Sequence, residues 1–217
     1  MRDYIILIIY LSGSLVLAPG GCKNATLQDK NPMAVLIEKL LPDSSGQIER
    51  LQKQLLNSDA DLRREGVLKL GQKKMAQKSA TPKILRQMAQ ADPDPQVRAA
   101  AVSVLAHINK GQTLLTVLQK AARDVSPLVR RECIVPSGIQ NNEQAETILL
   151  EMLHADDDTE LRAEAAAALK NYPTPKTIRG LIKGLTDEAF SVNYQCRQSL
   201  KKLTGKDFGY DHTEWKK

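Results

Sequence analysis

The chain reads as all-α: a right-handed α-solenoid of about five helical hairpins, with an N-terminal capping helix and an aromatic C-terminal cap. Two observations predict this. The first is a recurring dipeptide: Leu62-Arg63, Val97-Arg98, Val129-Arg130, Leu161-Arg162 and a degraded Val192-Asn193. The step is 35 residues from Arg63 to Arg98, 32 on to Arg130, 32 on to Arg162 and 31 on to Asn193. A period in the low thirties marks stacked helical repeats. The second is that apolar residues around the dipeptide follow a 3.6-residue spacing, while no stretch alternates as a strand would. Such a fold places function on a surface rather than in a buried pocket.

Each dipeptide lies in the second helix of a hairpin. One residue before the Arg position stand Leu62, Val97, Val129, Leu161 and Val192; three after it stand Gly66, Ala101, Cys133, Ala165 and Cys196. Four after it come Val67, Val102, Ile134, Ala166 and Arg197, and seven after it Leu70, Leu105, Ser137, Leu169 and Leu200. These offsets trace one stripe of a helix. The uniformly small column fits a close neighbouring helix. Four residues before the Arg position, Asp59, Asp94, Ser126, Asp158 and Ala189 occupy the N-cap position, where a side-chain oxygen satisfies free backbone N–H groups. Pro95 and Pro127 follow at the first helical position. Pro136 falls inside the third unit's second helix and should kink or shorten it.

A first amphipathic helix precedes each cap, carrying for example Ile84, Leu85 and Met88, or Ile148, Leu149, Met152 and Leu153. Between the helices lies an acidic turn, as in Asp92-Pro-Asp-Pro-Gln-Val-Arg98, Asp124-Val-Ser-Pro-Leu-Val-Arg130 and Asp156-Asp-Asp-Thr-Glu-Leu-Arg162. These columns resemble HEAT repeats, an armadillo-like helical family, in the short bacterial form also found in phycobilisome-lyase-like proteins. The resemblance covers roughly residues 47–203. It implies a binding scaffold. It also implies a ladder in which Arg63, Arg98, Arg130 and Arg162 pair with Asp92, Asp124, Asp156 and Asp187 of the following repeats.

The two ends are not repeated. Residues 1–22 have Arg2 ahead of an apolar run from Tyr4 to Ala18, then Pro19-Gly20-Gly21-Cys22. A run of fifteen residues is short for a membrane span of about 20 and suits a signal peptide. The small residues before Cys22 resemble a bacterial lipobox. This implies acylation of Cys22, a lipoprotein and a membrane-anchored position in the cell envelope; Pro19 departs from that pattern. An uncleaved anchor and ordinary secretion to the periplasm or beyond are the alternatives. Residues 23–46 read as a tether and a short helix covering the open face of the first repeat. Residues 204–217 hold Phe208, Tyr210 and Trp215, three of the chain's eight aromatic residues. They resemble a tail found after HEAT-like repeats in some exported bacterial proteins and should cap the last repeat, after Gly205 ends its helix.

Few residues suggest chemistry. Cys133 and Cys196 sit in the small column two repeats apart, too far for a disulfide, and read as buried hydrophobes. His107, His154 and His212 have no ligand-type neighbours at helical spacing, and the Asp156–Asp158 run belongs to the repeated turn. No phosphate loop or nucleophile elbow is present. The expectation is therefore a monomeric, non-enzymatic scaffold with no catalytic, cofactor-binding or metal-binding residues. It binds a protein partner along the second helices, with Arg64, Ser103, Arg131, Tyr194 and Gln198 as candidate contacts. The net charge of +6 is scattered, which fits attraction to anionic headgroups or an acidic envelope partner better than nucleic acid. An accessory of a lyase-type enzyme and a nucleic-acid-binding HEAT-like protein are the rival readings.

Overall fold

The computed structural model describes residues 32–42, 46–109 and 111–216. The expected signal segment, Cys22 and the tether before residue 32 lie outside these. Helix α1 (Pro32–Leu40) is followed by a hairpin of α2 (Gly46–Leu55) and α3 (Ala60–Leu70), and then by the single turn α4 (Lys73–Ala76). The second hairpin is α5 (Thr81–Ala91) with α6 (Pro95–Ile108). In the third, α7 (Gln112–Ala121) faces two short helices, α8 (Pro127–Arg131) and α9 (Ile134–Gly138). The fourth pairs α10 (Glu143–Ala155) with α11 (Thr159–Ala168), extended by a 3-10 turn at Leu169–Asn171. The fifth pairs α12 (Pro175–Gly184) with α13 (Phe190–Thr204). A second 3-10 turn, Glu214–Lys216, closes the described chain.

The hairpins stack in two rows. First helices follow one another as α5, α7, α10 and α12, and second helices as α3, α6, α8–α9, α11 and α13. The protein is thus an α-solenoid of five hairpins. Its core is continuous because each repeat lays its apolar stripe on the next. Val67, Val102 and Ala166 are buried, and so are Leu70, Leu105, Leu169 and Leu200 in the column three residues on. A fully buried Leu contributes about 2 kcal/mol of transfer free energy. The small column is a packing necessity. A Cβ placed on Gly184 would come 2.5 Å from the Cys196 sulfur, so α12 and α13 approach closely only because both positions are small. Gly205 ends α13 in the left-handed conformation, φ +72°, and its N–H bonds the Lys201 carbonyl.

Pro136 divides the third second-helix. The regular helical bonding breaks at Glu132 and Cys133, which keep right-handed dihedrals but tighten into a turn with Cys133 N–H on the Arg130 carbonyl; Glu132 carries the carbonyl that a proline ring four residues on would strike. Three of the five second-helix caps act through their side chains. Asp59 accepts from the Asp61 N–H, Asp94 from Gln96 and Val97, and Asp158 from Glu160 and Leu161. Ser126 does not. Its own carbonyl takes the Val129 N–H at 3.1 Å in a tight first turn, as the Ala189 carbonyl does for Val192.

Two expectations about the N-terminal end are corrected. Leu62 is 38% exposed, although its column is otherwise buried, because α3 is the first of its row and no earlier second helix lies against it among the described residues. Helix α1 does not cover that face. It packs on α5, with Ile37 and Leu41 buried, and Gln52 in α2 donates to the Leu41 carbonyl.

Candidate interaction surface

The acidic turns build one structure repeated along the stack. In each turn the residue six before the Arg position folds its side chain back onto the N-cap N–H. Asn57 accepts from Asp59, Asp92 from Asp94, Asp124 from Ser126, Asp156 from Asp158 and Asp187 from Ala189, all at 2.9 Å. This fixes each carboxylate where the previous repeat's Arg can reach it. Arg63 grips Asp92 through Nε and Nη2 at 2.9 Å each. Arg98 grips Asp124, and Arg130 grips Asp156, through the same atoms at 2.8 Å. Arg162 holds Asp187 at 2.9 and 3.1 Å.

The third guanidinium nitrogen turns inward. Nη1 of Arg63, Arg98, Arg130 and Arg162 donates to the carbonyls of Asn57, Asp92, Asp124 and Asp156 respectively. Each Arg thus ties its own turn to the next, with side chains only 10–14% exposed. Bidentate, charge-assisted bonds of this kind are the strong ones. The ladder runs out where the residue types change. Asn57 stands at its start, where no Arg of the described residues bonds its side chain, and at its end Asn193 has a buried side-chain oxygen with no hydrogen-bond partner.

A second row of polar contacts runs outside the first. Arg64 donates to Gln96 at 2.7 Å and pairs with Asp61; Arg131 pairs with Glu160 at 2.7 Å and with Glu164. Two of the candidate contacts are therefore engaged between repeats. Ser103 and Gln198 are half-buried, and Tyr194 is exposed. Tyr194 stands beside Phe190, ring centroids 6.3 Å apart, and Phe190 is 5.7 Å from Tyr210 of the tail. The residues that sequence reasoning passed over here are apolar: Leu68, Leu128, Val135 and Phe190 are all exposed. The signal was present, since each lies off the buried stripe of its helix.

The C-terminal cap is only partly as expected. Trp215 is buried, donates from Nε1 to the Gly209 carbonyl at 3.0 Å and meets Phe208 edge-on at 5.0 Å. Phe208 and Tyr210 remain about 40% exposed. Arg197, the one charge in its column, reaches Asp207 with two bonds of 2.8 Å and stacks over Tyr210 at 5.0 Å. It fastens the tail to α13.

Another polar cluster was missed. Glu146, buried in α10, accepts from the hydroxyls of Thr174 and Thr177, which start α12. Its position, three and seven residues before Leu149 and Leu153, puts a carboxylate on the apolar stripe. Cys133 and Cys196 are buried free thiols. Burial pushes both up, Cys196 to about 12, so neither is a thiolate at neutral pH. Burial lowers His154 below its ordinary value, with Lys183 adding to the effect. Among the described residues no three His, Cys, Asp or Glu converge on a point that could hold a metal, and no helix is long and apolar enough to cross a membrane.

A stack of helical hairpins joined by an Arg–Asp ladder defines the helical-repeat scaffold class. HEAT repeats match residues 48–135 and, overlapping, 82–170, so more than half of the chain is covered and the chain belongs to the HEAT-repeat family. Comparison with the curated proteins gives no match. Among solved structures, the crystal structure of an engineered protein aligns over 81% of this chain and 98% of its own, at 18% identity and a TM-score of 0.49. HEAT repeats commonly act as protein-interaction scaffolds.

Proposed function

We propose that the protein is a non-enzymatic scaffold, anchored in the bacterial cell envelope through a lipid on Cys22, that binds a protein partner along its second helices. One observation carries the binding surface. Among the described residues, the exposed large apolar side chains within the hairpin helices fall on second helices: Leu62 and Leu68 in α3, Leu128 in α8, Val135 in α9, Phe190 and Tyr194 in α13. Helices α2, α5, α7, α10 and α12 have none. Exposed apolar groups concentrated on one row of helices, between charged side chains, are what a protein interface uses. The ladder supports the same reading from the other side, since it commits the regular Arg and Asp columns to holding repeats together.

Anchoring rests on the sequence from Tyr4 to Cys22, an apolar run ending in small residues and a cysteine. Residues 23–31 serve as tether, and a lipid there confines the search for a partner to a membrane face. Cys22→Ser is expected to move the protein from the membrane to the soluble fraction and to leave the signal segment uncleaved or differently cleaved. Unchanged acylation or unchanged fractionation defeats the lipoprotein reading. For the partner, crosslinking in intact cells from Val135 and Tyr194 is expected to capture one recurrent protein, and Val135→Asp to abolish the capture. Capture that is indifferent to Val135→Asp and Tyr194→Ala removes the second helices from the interface.

A further inference from the structure

The opposite, first-helix side carries a groove of about 780 Å³ between α12 and the folded tail. Its apolar lining is Ile178, Ile182 and Trp215; Arg179, Lys183 and Lys216 supply three cations, and no carboxylate lines it. Arg179 and Lys183 fall four residues apart, so they stand on one face of α12. Both side chains are exposed, and the described residues place no ion pair on either. Helix α12 contains no acidic residue at all. The surrounding chain has the same bias: residues 170–217 hold ten Lys and Arg against five Asp and Glu. Three of those acids are already committed, Asp187 and Glu188 to Arg162 and Asp207 to Arg197 and Lys201.

We infer that this groove is a binding site for an acidic peptide segment carrying a large apolar side chain. The apolar side chain sits on Ile178, Ile182 and Trp215, and flanking carboxylates meet Arg179, Lys183 and Lys216. The complementarity is of two kinds at once. A strip of cations alone attracts any polyanion, but a cationic rim around an apolar floor discriminates for a chain with both features. The concavity favours a peptide over a lipid surface, because a membrane is flat and meets protruding groups, whereas a slot of this volume accepts an inserted side chain. The inference goes beyond the scaffold reading. It concerns a different face and holds whether or not the second helices bind a partner.

The chain's single tryptophan is the built-in reporter. The full-length protein is titrated with a twelve-residue peptide of glutamates and glycines bearing two central leucines, and Trp215 emission is followed. A saturating change is expected, weakened about tenfold when the leucines are replaced by glycine and about tenfold again in the Arg179→Glu, Lys183→Glu double variant. Both positions are exposed and outside the core, so the double variant should melt like the parent; Lys216→Glu provides an independent reversal on the tail. An unresponsive Trp215, equal binding of the leucine-free peptide, or indifference to charge reversal overturns the proposal. A saturating response to phosphatidylglycerol vesicles with none to peptide also overturns it, in favour of a membrane contact. Val135→Asp and Tyr194→Ala should leave the titration unchanged. If they abolish it, binding lies on the second helices and the groove proposal falls while the scaffold reading stands.

Discussion

Arg98 reaches across a repeat boundary and holds Asp124 with two parallel hydrogen bonds of 2.8 Å, Nε to Oδ2 and Nη2 to Oδ1. Its remaining nitrogen donates to the Asp92 carbonyl, so a single side chain links two turns of the stack.

Removing that Arg strands a carboxylate that is largely shielded from water. Arg98→Ala is expected to cost about 3 kcal/mol in urea unfolding, since the loss of one partner of a buried pair leaves an uncompensated charge. Arg98→Lys should recover only part of this, because an ammonium cannot make the parallel pair of bonds. A cost below about 1 kcal/mol for Arg98→Ala would reduce the ladder to a surface ornament.

The ladder also sets a pH dependence. Burial pushes the Asp124 carboxyl up, but hydrogen bonds from Arg98 and the Ser126 N–H, with the charges of Arg98 and Arg130, leave it lowered overall; Asp187 is lowered in the same way by Arg162. The folded value lies below the unfolded value of about 3.9. The stabilisation is therefore fully present above about pH 4 and is lost as pH falls through the folded values. Stability should be flat from neutral pH to about pH 5 and decline below about pH 4, with a shallower acid slope in Asp124→Asn. An identical slope in that variant would assign acid unfolding to other groups.

Leu105 and Leu62 form a matched pair for testing the core. Leu105 is fully buried, and Leu105→Asp should destabilise by roughly 4 kcal/mol by placing a charge inside the stack. Leu62 occupies a stripe position but is 38% exposed, so Leu62→Asp should change stability by about 0.5 kcal/mol or less. Chemical denaturation of the two variants side by side measures the difference.

Ser137 replaces Leu in its column, and its buried hydroxyl oxygen has no hydrogen-bond partner. Ser137→Ala removes an unsatisfied polar atom and should stabilise by about 1 kcal/mol. The Tyr172 hydroxyl bonds the Ser137 carbonyl, not its side chain, so that contact survives the substitution. A loss of stability would mean that the hydroxyl has a bonded role after all.

Deleting residues 206–217 removes the Asp207 contacts with Arg197 and Lys201 and unpacks Trp215. Loss of the buried indole alone should lower stability by about 2 kcal/mol and increase binding of an apolar dye. A truncated protein that melts like the parent would show that the tail adds nothing to the fold.

The repeats were legible because their physics is local and recurs. A helix stripe, an N-cap and a turn Asp each occupy a fixed offset, and five copies make the offsets visible. Single events were harder. Pro136 is one residue, yet its effect was readable because a proline inside a helix has one consequence. Glu146 was not readable as a buried acceptor, since its donors, Thr174 and Thr177, lie about thirty residues away and become neighbours only when α10 and α12 stack. The exposure of Leu62 depended on α3 being the first second helix among the described residues, which no local pattern records. The pairings of Arg64 and Arg131 were not readable for a related reason: their column points outward in one helix, but the next repeat supplies Gln96 and Glu160 to meet it.

The amino-acid sequence by itself determined the all-α class, the hairpin unit, its register and the buried columns, because helix periodicity, capping and side-chain size act within one repeat. The tertiary structure decided what lies between repeats: which turn Asp each Arg grips, which outward charges are already paired, where α1 settles, and how the tail and α12 enclose a basic, apolar groove. Those features depend on distances between elements far apart in the chain, and only the stacking of one hairpin on the next brings them together.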